Sequence, residues 1–168
     1  ACSANHHTYL VLQTTFFCIY SLLFWVITKC TMTQGKTELT IFTVDDSEIV
    51  YRSMGSFLSG NENINWLGHA FSVPDAYTQI AEKKPELVIL DIQLKEHSSF
   101  ELLEYLSKNI PTITVIMFTN LSTPPYRKKC EELGAKYFLD KSAEFEKIPT
   151  ILEEVLQNKS TSGTKINS

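Results

Sequence analysis

No block of lysine or arginine in this 168-residue chain is long enough to form a basic stripe, and its formal net charge is −4. With no basic stripe to track a phosphate backbone, direct nucleic-acid binding is not expected. The four cysteines, Cys2, Cys18, Cys30 and Cys130, include no C-x-x-C pair. That spacing suggests neither a structural zinc nor a disulfide framework, which fits a reducing compartment such as the cytoplasm. No internal repeat is present beyond an alternation of strand-like and helix-like segments. The length suits one ordinary domain with extensions.

Charge is also missing from Tyr9 to Thr28 (YLVLQTTFFCIYSLLFWVIT), and composition changes sharply near Met32. About 20 apolar residues suffice for a helix to cross a bilayer. One reading of residues 1–31 is therefore a transmembrane anchor, with Lys29 on the cytoplasmic side. The other is that the working protein starts at Met32-Thr33-Gln34-Gly35-Lys36, so that the segment is an artefact of start-site choice. A secretory signal fits less well, because no basic region precedes the apolar stretch. His6-His7 reads as an incidental polar flank.

Downstream, apolar runs alternate with amphipathic ones. Leu39–Val44, Ile64–Gly68, Leu87–Leu90, Ile113–Phe118 and Tyr137–Leu139 read as strands. Helices are expected after Ser47 as far as Gly60, from Ser72 or Asp75 to Lys84-Pro85, over Ser99–Ser107, over Tyr126–Leu133 with Gly134 following, and over Phe145–Gln157. Pro149 places the start of that last helix near itself. The polar stretch from Asn158 to Ser168 reads as a disordered tail. Residues 37–157 thus form one α/β domain, a doubly wound, flavodoxin-like sheet of five parallel strands in the order 2-1-3-4-5 with five helices.

What this pattern places at the strand ends is chemical. Asp45-Asp46 follows the first strand, Asp91 the third, Thr119 the fourth, and Asp140-Lys141 the last. In a parallel sheet of this type the ligand crevice lies beyond the carboxyl ends of the strands, so the three site acids share one place. Three packed carboxylates repel one another unless a cation sits among them, and Mg²⁺ suits a few carboxylates, a carbonyl and waters. A single strand-end acid is most often a helix cap, and a lone lysine there an ordinary surface group. The specificity lies in the ordered set.

That set, over about Glu38 to Gln157, resembles the receiver domain of response regulators in two-component phosphorelay signalling. The resemblance implies that Asp91 accepts a phosphoryl group, making the chain an aspartyl phosphoprotein and not an enzyme. It also implies that Asp46 binds Mg²⁺ directly, Asp45 directly or through water, and the main-chain carbonyl of Gln93 completes the ligands. Lys141 and Thr119 would bind the phosphoryl group, and Phe138, three before Lys141, would be the switch aromatic. The implied partners are a histidine kinase or phosphotransfer protein and a downstream protein. The length leaves no room for a typical DNA-binding output domain, so a single-domain regulator is expected, with Tyr126, Arg127, Lys128 and Tyr137 on its partner face.

Departures from the family pattern concentrate around the site. Lys95 stands where proline is frequent, Glu96 and Ser99 where glycine is common, Asn120 where a small residue is usual, and Ser142 where proline often follows the lysine. A receiver-like adaptor that signals without phosphate is the alternative within this class. A Mg²⁺-dependent phosphohydrolase with an aspartate nucleophile is the alternative outside it. Such enzymes usually carry a second acid two residues after the nucleophile, and Gln93 cannot fill that role. Cys130 reads as packing, and His69 and His97 as surface residues.

Overall fold

Side chains alternate sides along a strand, and each strand here is apolar in both phases, so both faces of the sheet must be covered. The computed structural model describes residues 38–95 and 97–163. Strands β1 (Leu39–Val44), β2 (Ile64–Ala70), β3 (Leu87–Leu90), β4 (Thr114–Thr119) and β5 (Tyr137–Asp140) form one parallel sheet in the order 2-1-3-4-5. Phe42, Val44, Val88, Leu90, Val115, Met117 and Phe138 face one buried layer with Ile80, Leu103 and Cys130. Helices α2 (Val73–Lys83), α3 (Phe100–Asn109) and α4 (Pro124–Glu132) supply that cover. Ile41, Leu87, Ile89, Ile116, Phe118 and Leu139 face the opposite layer with Met54, Leu58 and Leu152. These come from α1 (Glu48–Ser59) and α5 (Ile148–Gly163).

Local chemistry sets the helix ends. Ser47 and Ser72 cap α1 and α2 by accepting hydrogen bonds from the amides of Val50 and Asp75. Pro124 and Pro125 open α4, because a proline ring already holds the helical φ in the first turn. A 3₁₀ turn over Phe145–Lys147 precedes α5, which starts beside Pro149 as expected. No helix among the described residues is long and apolar enough to cross a membrane. The expected span at 9–28 lies outside those residues, as do residues 164–168.

Two features were not expected from the sequence. The polar stretch from Asn158 is helical as far as Gly163, where a disordered tail was expected. Lys159 gives the reason. Its ammonium donates to the main-chain oxygen of Glu38 at 2.6 Å and pairs with the Glu86 carboxylate at 2.6 Å. Glu86 in turn accepts from the backbone N–H and hydroxyl of Thr40, both at 3.0 Å. Partial burial works against the Glu86 charge, but the Lys159 and Thr40 hydrogen bonds outweigh it and hold the carboxyl below its usual range. Because the ion pair is more than a third exposed, Lys159→Ala should cost less than about 1 kcal/mol. It should nevertheless speed amide hydrogen exchange in the last turn of α5, and unchanged exchange there would refute the tie.

The second feature is a bulge in β2. The pairing with β1 runs Ile41 to Trp66 and then Phe42 to Gly68, skipping Leu67. Gly68 there has φ +137°, a conformation that side chains disfavour. An added residue reverses the phase of a strand. Trp66 and His69, three apart, therefore both lie on the α1 side of the sheet, flanking Thr43.

Candidate functional site

β1, β3 and β5 deliver their terminal residues to one crevice. Asp45 and Asp91 are buried and Lys141 is nearly so, with its ammonium 2.5 Å from Oδ2 of each acid. The other Asp45 oxygen accepts from the Ser47 amide at 2.9 Å, a local turn that also starts α1. Asp46 lies at the rim, its Oδ2 accepting from the Lys95 amide at 2.9 Å. Lys95 sits at the tip of a two-residue hairpin, Gln93–Leu94 against His97–Ser98, and takes φ +56°. That left-handed conformation is closed to proline, so the departure at this position matches the local backbone.

Electrostatics within the crevice are unbalanced. One ammonium faces three carboxylates whose ligand atoms lie within 4.8 Å of one another. Burial pushes the Asp45 carboxyl above its usual range even though Lys141 and the Ser47 amide pull the other way. Burial also works against the Lys141 charge, but hydrogen bonds to Asp45 and Asp91 outweigh it and raise that ammonium above an ordinary lysine. Asp91 Oδ1 is buried with no hydrogen-bond partner. A buried acceptor left unpaired is costly, and a hard divalent cation among hard oxygen donors would satisfy it. The donor set therefore fits Mg²⁺.

Thr119 is buried at the end of β4, and its hydroxyl accepts from the Leu121 amide at 3.1 Å. The Lys141 amide donates to the Thr119 carbonyl at 3.0 Å, tying the two strand ends together. Beyond them, Ser142 Oγ donates to Asn120 Oδ1 at 3.2 Å, and the Ser122 hydroxyl donates to the Asp140 carboxylate. The Ser122 bond holds Asp140 below the usual carboxylate range. The β4–α4 and β5–α5 loops are thus joined at two points.

Phe138 lies 7% exposed in the α2–α3–α4 layer, with the Arg127 guanidinium 4.5 Å from its ring centre. Arg127 also donates to the Phe138 carbonyl at 3.1 Å and approaches Glu144 at 3.8 Å. Tyr126 stacks on Phe100 at the surface, and exposed Lys128 pairs with Glu132 one turn on. Three of the four expected face residues therefore share α4. Tyr137 does not join them: it packs against the α1–α5 layer, and burial beside Glu154 pushes its hydroxyl up to about 12.

Two residues have contacts at the site that were not expected from the sequence. Ser99 is fully buried and donates its hydroxyl to the main-chain oxygen of Asp91 at 2.5 Å. His69, read as a surface residue, is half-buried against Tyr51 and Phe71 with both ring nitrogens engaged. Burial lowers its basicity. Its position opposite Thr43 depends on the bulge, for which Gly68 was the only local sign.

Comparison with known proteins agrees with this geometry. The response regulator protein VraR of Staphylococcus epidermidis is 33% identical over 82 residues, covering 49% of this chain and 39% of that protein. The VraR of Staphylococcus saprophyticus is 25% identical over 122 residues, covering 73% and 58%. The chain thus spans between 39% and 58% of the length of these two curated relatives. Among solved structures, the isolated REC domain of RcsB from Salmonella enterica serovar Typhimurium superposes with a TM-score of 0.66 at 17% identity, covering 71% of this chain and 89% of that one. The response regulator domain of Thermotoga maritima CheB gives 0.62 at 22%, covering 72% and 95%. Both show the same fold. The model of the response regulator receiver domain matches residues 41–153, and the chain belongs to that family.

Proposed function

We propose that Asp91 accepts a phosphoryl group from a histidine kinase or phosphotransfer protein, and that the altered surface around α4, β5 and α5 passes the state to a protein partner. The observation that carries this reading is the buried Asp91 carboxylate itself. Lys141 holds one of its oxygens, the other has no partner, and two further acids lie within reach. Attack by an Asp91 oxygen would form the new P–O bond as the P–N bond of a donor phosphohistidine breaks, its electron pair leaving on the imidazole nitrogen. Asp45, Asp46, Asp91 and the Gln93 carbonyl would hold Mg²⁺, which when bound neutralises charge on the phosphoryl oxygens. Lys141 supplies a second cation to the same oxygens. The Thr119 hydroxyl, which accepts from Leu121, has its own proton to donate to the phosphoryl group. A shift of Thr119 toward the phosphoryl group would be coupled to α4 through Phe138, which packs under Arg127. The test is uptake of one phosphoryl group from acetyl phosphate with Mg²⁺, read as intact mass and lost in Asp91→Asn.

Gln93, in the short hairpin, and Asn120, just after β4, are both exposed at this end of the sheet, and their long side chains would obstruct a hydrolysing water. A long-lived aspartyl phosphate is the expected consequence, with Asn120→Ala shortening its lifetime several-fold. Following phosphoryl mass after donor removal checks this, and decay equally fast in both proteins would contradict it.

A further inference from the structure

His69 is absent from the reaction just described, yet both of its ring nitrogens make hydrogen bonds of 2.8 Å. Nε2 meets the main-chain oxygen of Asp45, and Nδ1 meets the hydroxyl of Thr43. A carbonyl oxygen can only accept, so Nε2 carries the proton. In the neutral ring Nδ1 must then accept, and Thr43 is its donor. The Thr43 oxygen is in turn a 3.2 Å acceptor for the indole N–H of Trp66. The Gly68 main-chain oxygen also lies within reach of the Thr43 hydroxyl at 3.3 Å, but the 2.8 Å contact to Nδ1 is the shorter, and with the proton directed there the bonds run from Trp66 to Thr43 to His69 to Asp45.

Where the chain ends matters. The β1–β2 pairing stops at Val44 and Ala70, and the Asp45 amide donates once more to the Ala70 oxygen at 3.1 Å. The Asp45 carbonyl lies one step beyond the ladder, where the backbone turns to present Asp45 and Asp46. The imidazole takes the place of the missing strand partner there. Packing of the ring against Tyr51 and Phe71, with centroids at 5.0 and 4.4 Å, fixes its plane.

We propose that His69 is a positioning residue of the acid site, clamping the Asp45 carbonyl so that the Asp45-Asp46 turn is preset for a divalent cation. It touches neither the cation nor the phosphoryl group. Groups that orient metal ligands from behind typically change affinity by about 10- to 100-fold when removed. The inference rests on the Mg²⁺ reading of the three acids.

The test compares two amides in the full chain. A Gln side chain places its nitrogen near the position of Nε2, and an Asn side chain only near that of Nδ1. Mg²⁺ titration by calorimetry should show binding weakened on the order of tenfold in His69→Asn, with most of the parent affinity kept in His69→Gln. Melting temperatures, measured without metal, should differ little between the two variants, a pattern that a merely structural role would not produce. Equal affinity in parent and His69→Asn, or equal loss in both variants, would overturn the inference alone. No saturable Mg²⁺ binding by the parent would overturn the reading of the site beneath it. Should His69→Asn fail to fold, nitrogen NMR of the parent imidazole still decides: a protonated Nε2 with accepting Nδ1 supports the clamp, and the opposite tautomer refutes it.

Discussion

Asp91→Asn will abolish phosphoryl uptake from acetyl phosphate while leaving the fold intact, and intact mass beside a thermal melt will show both. The amide keeps the shape of the carboxylate but not the charge that makes its oxygen a nucleophile. Loss should be complete, because no other described acid lies at the end of a central strand with an unpartnered buried oxygen. Stability should hold or rise. Asp91 is one of two carboxylates that share a single ammonium, with the third acid close by, and Lys141 keeps its 2.5 Å contact with Asp45 when the Asp91 charge is removed. Residual uptake by the variant would place the acceptor elsewhere and sink the proposed function. A variant that unfolds would show that Asp91 is required for structure.

Lys141→Ala should give the second large effect, on stability and its pH dependence. Removing one partner from a buried ion pair costs about 3–5 kcal/mol, because the remaining charge is desolvated and uncompensated. Here two acids lose their shared cation. In the parent, the Lys141 value is raised on folding, so its contribution is fully present below the ordinary lysine range and is lost as pH climbs through the raised value. In the variant, the influence of Lys141 that lowers Asp45 is gone, so burial and the Asp91 charge push that carboxyl further up against the Ser47 amide alone. An acid raised on folding binds its proton more tightly in the folded chain. Its effect on stability therefore worsens as pH rises from the unfolded value through the folded one. Denaturant titrations should find the variant closer to the parent at mildly acidic pH than at mildly alkaline pH. Added Mg²⁺ should recover part of the loss by binding the folded state, and the recovery should grow with concentration. A deficit that is the same at both pH values and indifferent to Mg²⁺ would mean that the acids are neutralised by other means.

These effects concern the part of the site that was legible in the sequence. Asp45-Asp46, Asp91, Thr119 and Lys141 each follow a short apolar run, and the structure brings the three acids and the lysine into one crevice. A parallel sheet needs no further information to do this. Each right-handed crossover returns the chain to the same edge, so every strand ends on the same side. The two layers of core could be read for the same reason, since alternate residues of each strand must face opposite helices.

The remaining features depended on partners distant in sequence. Lys159 orders the end of α5 only because Glu86, 73 residues earlier, lies beside it, and a local reading of a polar tail has no access to that pair. Tyr137 and Phe138 are adjacent aromatics, but strand alternation sends one to each layer, and only Phe138 meets Arg127. His69 is the clearest case. In a regular strand it would lie on the opposite side of the sheet from Trp66, and the skipped residue at Leu67 brings both to Thr43. Strand phase and apolar pattern are local properties, so the sequence by itself determined the sheet, its two faces and the order in which charged groups reach its edge. Register shifts, hydrogen-bond chains and long-range ion pairs depend on which strand lies alongside which. Only the tertiary structure decided that a histidine sits behind the acid pair, because a bulge exists only in the pairing of two strands.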